Sequence, residues 1–163
     1  VLGALLSALV LFVVSGLLTP VPAQVRQVLV VALAVAAVLR DAGVVSFPLP
    51  QNARQVPQDV LTRDVARGSL QFGFEMGTGV RTYVSSTVPY VLVAALLLTA
   101  PGVMTAVAAG IGFGVGRAIT PTARHASPDG EAWDDTLHTH LLTIKLAAGG
   151  ATAIALALLL YLP

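Results

Sequence analysis

The sequence predicts an all-α fold, a polytopic transmembrane helical bundle with about five crossings and one broken helix. Three observations predict it. Hydrophobic residues fill 56% of the 163 positions and charged residues only 10%, against about 45–50% and 25% in a soluble domain. Mean hydropathy is +0.85. The polar residues gather in two loops that separate charge-poor runs of about span length. Together these exclude a soluble monomeric domain, a disordered chain and a nucleic-acid-binding module. The net charge of +1 implies no acidic partner, and the absence of cysteine excludes disulfides, thiolate metal sites and thiol redox chemistry on this chain. The chain opens at Val1 inside an apolar run. It is therefore expected to be a processed or truncated product, with a segment missing upstream.

The first span is expected over 1–19, which holds no charge and ends at the Pro20-Val21-Pro22 turn. Nineteen residues at 1.5 Å give about 28 Å, near the thickness of a bilayer core. A second span over 22–39 starts with Pro22 in a first-turn position and stops at Arg40 and Asp41. The loop 40–67 follows, with Arg40, Arg54, Arg63 and Arg67 against Asp41, Asp59 and Asp64. Pro48, Pro50 and Pro57 keep its first half irregular, and 58–67 reads as a short interfacial helix with Val60, Leu61 and Val65 toward lipid.

Residues 68–99 would make a helix of about 48 Å, too long for a simple span. Gly73, Gly77, Gly79 and Pro89 lie in it, with two charges, Glu75 and Arg81. The expectation is a broken element, with arms around 68–78 and 86–99 about an irregular centre. Pro101-Gly102 turns into a span over 103–117. There Gly110 and Gly114 form one small-xxx-small pair and Gly112 and Gly116 another, which lets a helix backbone approach closely. A second polar loop spans 118–136, and the last span 137–162 carries Gly149-Gly150 near its middle. Lysine and arginine counts put both larger loops, 40–67 and 118–136, in the cytoplasm. Arg26 then lies on the wrong side.

Glu75 and Arg81 are the most informative residues for chemistry. An ionisable group at membrane depth costs roughly 2.5–3.5 kcal/mol on insertion scales, so it faces a cavity or a partner. In a straight helix the two would sit about 240° apart; a break at 77–79 folds them toward each other as an ion-path or interhelix pair. The competing reading places both near an interface, with Glu75 pairing with Arg67 or Arg63. The hydroxyl-rich run Arg81-Thr82-Tyr83-Val84-Ser85-Ser86-Thr87 suits a helix break, where side chains satisfy freed backbone groups. No histidine or acid adjoins it to activate a serine, so no catalytic residue is assigned. His138 and His140 fall on different helix faces. His125 with Asp129, Glu131, Asp134 and Asp135 reads as a solvated acidic loop, with Asp134 and Asp135 at the start of a helix where negative charge suits the dipole and Trp133 as an interfacial anchor. No metal site and no cofactor are assigned, and no phosphate-binding or HExxH motif occurs.

The stretch FGFEMGTGVRTYVSSTVPYVLVAALLL, Phe72 to Leu98, resembles the fourth transmembrane element of the DsbD/CcdA family of membrane thiol-disulfide transporters. The five spans would then correspond to that family's second to sixth, with the first upstream of Val1. The family moves electrons from thioredoxin through a pair of membrane cysteines, and this chain has none. The resemblance thus implies a scaffold and not thiol exchange. The expected role is a non-catalytic membrane subunit or scaffold, with the lipid bilayer and other membrane protein chains as partners and no nucleic acid. A small-solute transporter using the broken element 68–99 is the alternative, and a degenerate redox membrane protein the third. The expected location is a bacterial plasma membrane; the composition, rich in Ala, Val and Leu with one Lys, associates with a GC-rich bacterial source.

Overall fold

The computed structural model describes residues 1–49, 65–79 and 85–162, with the side chains of 65 and 66 left aside. Six α-helices occur among them and no strand: α1 Leu2–Ser15, α2 Ala23–Asp41, α3 Val65–Thr78, α4 Val88–Thr99, α5 Val103–Ala126 and α6 Gly130–Tyr161. A 3₁₀ turn, Gly16–Leu18, extends α1. Three helices, α2, α5 and α6, are long and apolar enough to cross a membrane; Leu2–Leu18 and α4 are shorter apolar helices.

The helices sort into two sets. In the first, α1 packs between α3 and α5; in the second, α2 packs between α4 and α6. The sets meet chiefly along α1 and α4. Small residues draw the first set together. A Cβ on Gly110 would lie 2.9 Å from the Ala8 Cβ, one on Gly114 2.7 Å from the Val1 Cα, and one on Gly77 3.1 Å from the Ala4 amide nitrogen. Small residues at a helix interface allow contact this close. The second set buries Ala34, Ala37 and Val91 against Ala153 and Leu156, and Gly149 lets α6 approach Val38 and Val88.

Helix ends follow local chemistry. α2 stops in a Schellman motif: Val44 N–H donates to the Leu39 carbonyl and Gly43 N–H to the Arg40 carbonyl, both at 2.9 Å. Gly43 takes φ +78° there, a conformation that costs glycine little. α4 ends on Ala100 at φ 47°, with Pro101 to prevent continuation. α6 starts at Asp129, whose side chain accepts from the backbone N–H groups of Glu131 and Ala132, an N-cap.

One expectation changes. The stretch 118–136 is helical on both sides of a short turn, because α5 runs through Pro121 to Ala126 and α6 begins at Gly130. Asp129 caps α6, and Arg124 grips Asp134 through bonds of 2.8 and 2.9 Å from Nε, so the polar sequence makes helix ends in place of loop. The two arms expected within 68–99 are the separate helices α3 and α4, and they part company: α3 lies beside α1 and α4 beside α2. The proposed interfacial helix falls largely on 50–64, outside the described residues.

Candidate functional site

Three features carry the polar chemistry, and each is built from helix ends. The first is a clamp on α4. Asp41, the last residue of α2, has a side chain only 4% exposed. Its Oδ2 accepts from the Thr87 backbone N–H and the Ser86 hydroxyl, each at 2.8 Å, and its Oδ1 accepts from the Thr87 hydroxyl. Ser86 Oγ also accepts from the Val88 N–H at 3.2 Å, and Pro89 has no N–H to satisfy. The open amides at the start of α4 are thus met by one carboxylate, one hydroxyl and one proline. Asp41 sits at the C-terminal end of its own helix, where a negative charge is unfavourable, and the positive end of α4 compensates. Arg40 backs the site: its Nη1 lies 3.6 Å from Asp41 Oδ1 and donates to Thr87 Oγ1 at 3.3 Å. Arg40 Nε donates to the Phe47 carbonyl at 3.0 Å, and the guanidinium lies 5.4 Å from the Phe47 ring centre.

The opposite end of α4 is held by Arg26, in the first turn of α2, whose Nη1 donates to the Leu98 carbonyl at 2.9 Å. A cation at a helix C-terminus complements the dipole. One helix therefore holds both ends of its antiparallel neighbour, with opposite charges. This accounts for Arg26, which charge counting left misplaced.

The second feature is a cavity of about 370 Å³ where the two sets meet. α1 lends it Ala4, Ser7, Ala8 and Leu11, and α5 lends Phe113; Thr78 and Gly79 close it at the end of α3, and Tyr90 and Val93 on α4. Among the described residues no charged side chain lines it. Two of its hydroxyls have backbone acceptors: Ser7 donates to the Thr78 carbonyl at 3.2 Å and Thr78 to the Glu75 carbonyl at 2.8 Å.

The third feature is the hairpin of α5 and α6. Gly114 is buried on α1 and Gly149 between α2 and α4, and no residue from 115 to 148 is buried. Past Gly114, α5 continues for about 18 Å, and α6 runs roughly 28 Å before Gly149. The two legs make few contacts with each other and are pinned near the turn by Arg124 on Asp134. Trp133 is half-buried, and its indole N–H has no acceptor among the described residues.

Against these features the expected site residues fall apart. Glu75 does not line the cavity; its Oε1 accepts from Gln71 at 3.0 Å, one turn earlier on α3. Arg81 lies outside the described residues, as do 82–84 of the hydroxyl run, so the Glu75–Arg81 pair has no geometry here. Gly77 is buried on α1, Gly73 is open, and Gly79 takes φ +70° with the Phe113 ring beside it. Pro89 stands in the first turn of α4. Gly110 and Gly114 face α1, whereas Gly112 and Gly116 meet nothing within 4 Å among the described residues. No group of three or more His, Cys, Asp or Glu is placed to hold a metal among the described residues. Asp41 and Arg26 escaped the sequence reading because their partners lie 46 and 72 residues away.

No family model, no curated protein and no solved structure matches this chain. Its chemistry rests on its own geometry.

Proposed function

We propose that the chain is a non-catalytic membrane subunit or scaffold that presents the α5–α6 hairpin to partner protein chains. The observation that carries this is the hairpin itself, two legs without one buried residue between Gly114 and Gly149. Isolated helices gain their stability from packing an apolar face, and these legs give each other little. A partner supplies that surface. The polar groups inside the bundle support the same reading, since Asp41 and Arg26 are spent on holding α4. Open Gly112 and Gly116 extend the outer face of α5 into the bilayer. In this reading five segments cross a bacterial plasma membrane: α1 with its 3₁₀ turn, α2, α4, α5 and α6. The tip of the hairpin at 127–129 and the 42–49 turn lie in the cytoplasm, and the likeness of 72–98 to the DsbD/CcdA family is one of scaffold.

The test is native mass spectrometry of protein extracted from its own membrane in mild detergent. A stoichiometric assembly with other chains, lost on Gly112→Leu or Ile119→Asp, is the expected result. A lone chain, unchanged by either substitution, would overturn the proposal.

One observation favours a second reading, a small-solute carrier: the cavity adjoins the end of α3 where the long polar-apolar element breaks. The uncharged side chains that line it among the described residues suit a neutral solute, and Ala109→Trp would fill it. Accelerated flux of a neutral solute into reconstituted vesicles, abolished by Ala109→Trp, would favour this reading over the first.

A further inference from the structure

We infer that the bundle is two bodies, α1–α3–α5 and α2–α4–α6, that shift against each other along the α1–α4 contact, and that the hairpin is the lever joining them. The inference deepens the subunit reading, because it says what a partner on the hairpin would control. Three observations carry it. Each body has its own packing centre, small residues of α1 against Gly77, Gly110 and Gly114 in one, Ala34, Ala37 and Val91 in the other. The tertiary hydrogen bonds described above join members of one body: Ser7 to Thr78 in the first, Asp41 and Arg40 to Ser86 and Thr87 and Arg26 to Leu98 in the second. The exception is Arg124 on Asp134, at the turn where the bodies are joined. The plane between the bodies holds the cavity of about 370 Å³.

Directional bonds resist sliding, and apolar contact beside a void resists it least, since side chains there already lack partners on one side. Asp41 and Arg26 fix α4 to α2 at both ends, so α4 moves with α2 and not with α1, which it also touches. The legs of the hairpin root in different bodies, α5 beside α1 and α6 beside α2. A shift between bodies therefore opens or closes the angle between the legs. A partner that holds the legs at one angle selects one arrangement, by differential binding alone.

The chain has no cysteine, so paired spin labels can be placed on exposed sites without removing any. In lipid nanodiscs, without a partner, Val10→Cys/Val115→Cys reads the first body and Leu33→Cys/Leu158→Cys the second. Leu33→Cys/Val115→Cys spans the two. The expected result is a single narrow distance for each pair within a body and a broad or two-component distribution across them. Adding Asp41→Ala to a Leu33→Cys/Val93→Cys pair should broaden that distance, because α4 loses its anchor. A distribution across the bodies as narrow as those within them would overturn the inference. Because the isolated chain is measured, that failure leaves the assembly result of the mass-spectrometry test untouched.

Discussion

A buried carboxylate decides how the chain is stitched together, and it belongs to a residue that reads in sequence as loop charge. Asp41 accepts three hydrogen bonds from the Ser86–Thr87 corner; bonds to a charged group contribute about 1.5–3 kcal/mol each, and the cost of burying the carboxylate offsets part of that sum. Asp41→Ala strands the Thr87 N–H and should cost about 2–3 kcal/mol. Asp41→Asn keeps one acceptor oxygen and should cost less. Unfolding midpoints of the three proteins in one detergent give the order wild type, Asn, Ala. Backbone conformation offers a second check with opposite signs at two positions. Ala100 holds φ 47° where a Cβ crowds the carbonyl, so Ala100→Gly should raise stability by about 0.5–1 kcal/mol. Gly43 holds φ 78°, and Gly43→Ala should lower stability by about 1 kcal/mol. Neither position announces its conformation in sequence, although Gly43 just after a charged helix end is the residue a Schellman turn favours. Asp41 gave no signal at all, since nothing local to 41 refers to 87.

Elements were far more legible than their neighbours. Apolar run length located helical segments, and proline and glycine located their ends, because both act through local backbone chemistry. Which helix packs on which depends on residues far apart, and the stretch 68–99 shows the difference. Its glycines and Pro89 suggest two arms, yet only tertiary contact assigns α3 to α1 and α4 to α2. The acidic stretch 129–135 misleads for a related reason: a cap and an ion pair turn polar sequence into the start of a helix. The glycines of α5 make the point testable. Both small-xxx-small pairs are visible in sequence, but only Gly110 and Gly114 meet α1. Gly114→Val forces a side chain into the Val1 backbone and should cost about 2–3 kcal/mol. Gly112→Val points into open space and should leave the unfolding midpoint of the isolated chain unchanged. A fall with Gly112→Val as large as with Gly114→Val would mean that both faces are packed within one molecule.

At the scale of the whole molecule, the arrangement of helix ends agrees with the sidedness that charge counting predicts, in which Arg26 alone stood out of place. α4 runs antiparallel to α2, with Thr87 at Asp41 and Leu98 near Arg26, and Gly114 beside Val1 with Gly110 beside Ala8 makes α5 antiparallel to α1. The 42–49 turn and the tip of the hairpin at 127–129 then share one end of the bundle. The turns at 19–22 and 100–102 share the other. Arg26 lies at that second end, but its guanidinium is turned inward onto a carbonyl of α4, so it contributes less to orientation than a free loop charge. Basic residues then favour placing the first end in the cytoplasm. A chain without cysteine allows each turn to be probed singly. Val44→Cys and Ser127→Cys should resist a membrane-impermeant maleimide in intact cells and react in inverted vesicles, while Thr19→Cys and Gly102→Cys do the reverse. If Val44→Cys and Ser127→Cys label from opposite sides, the antiparallel order of α4 and α5 does not persist across a membrane, and five crossings fail with it. If both pairs reverse together, the helix order stands and the assignment by charge is what falls.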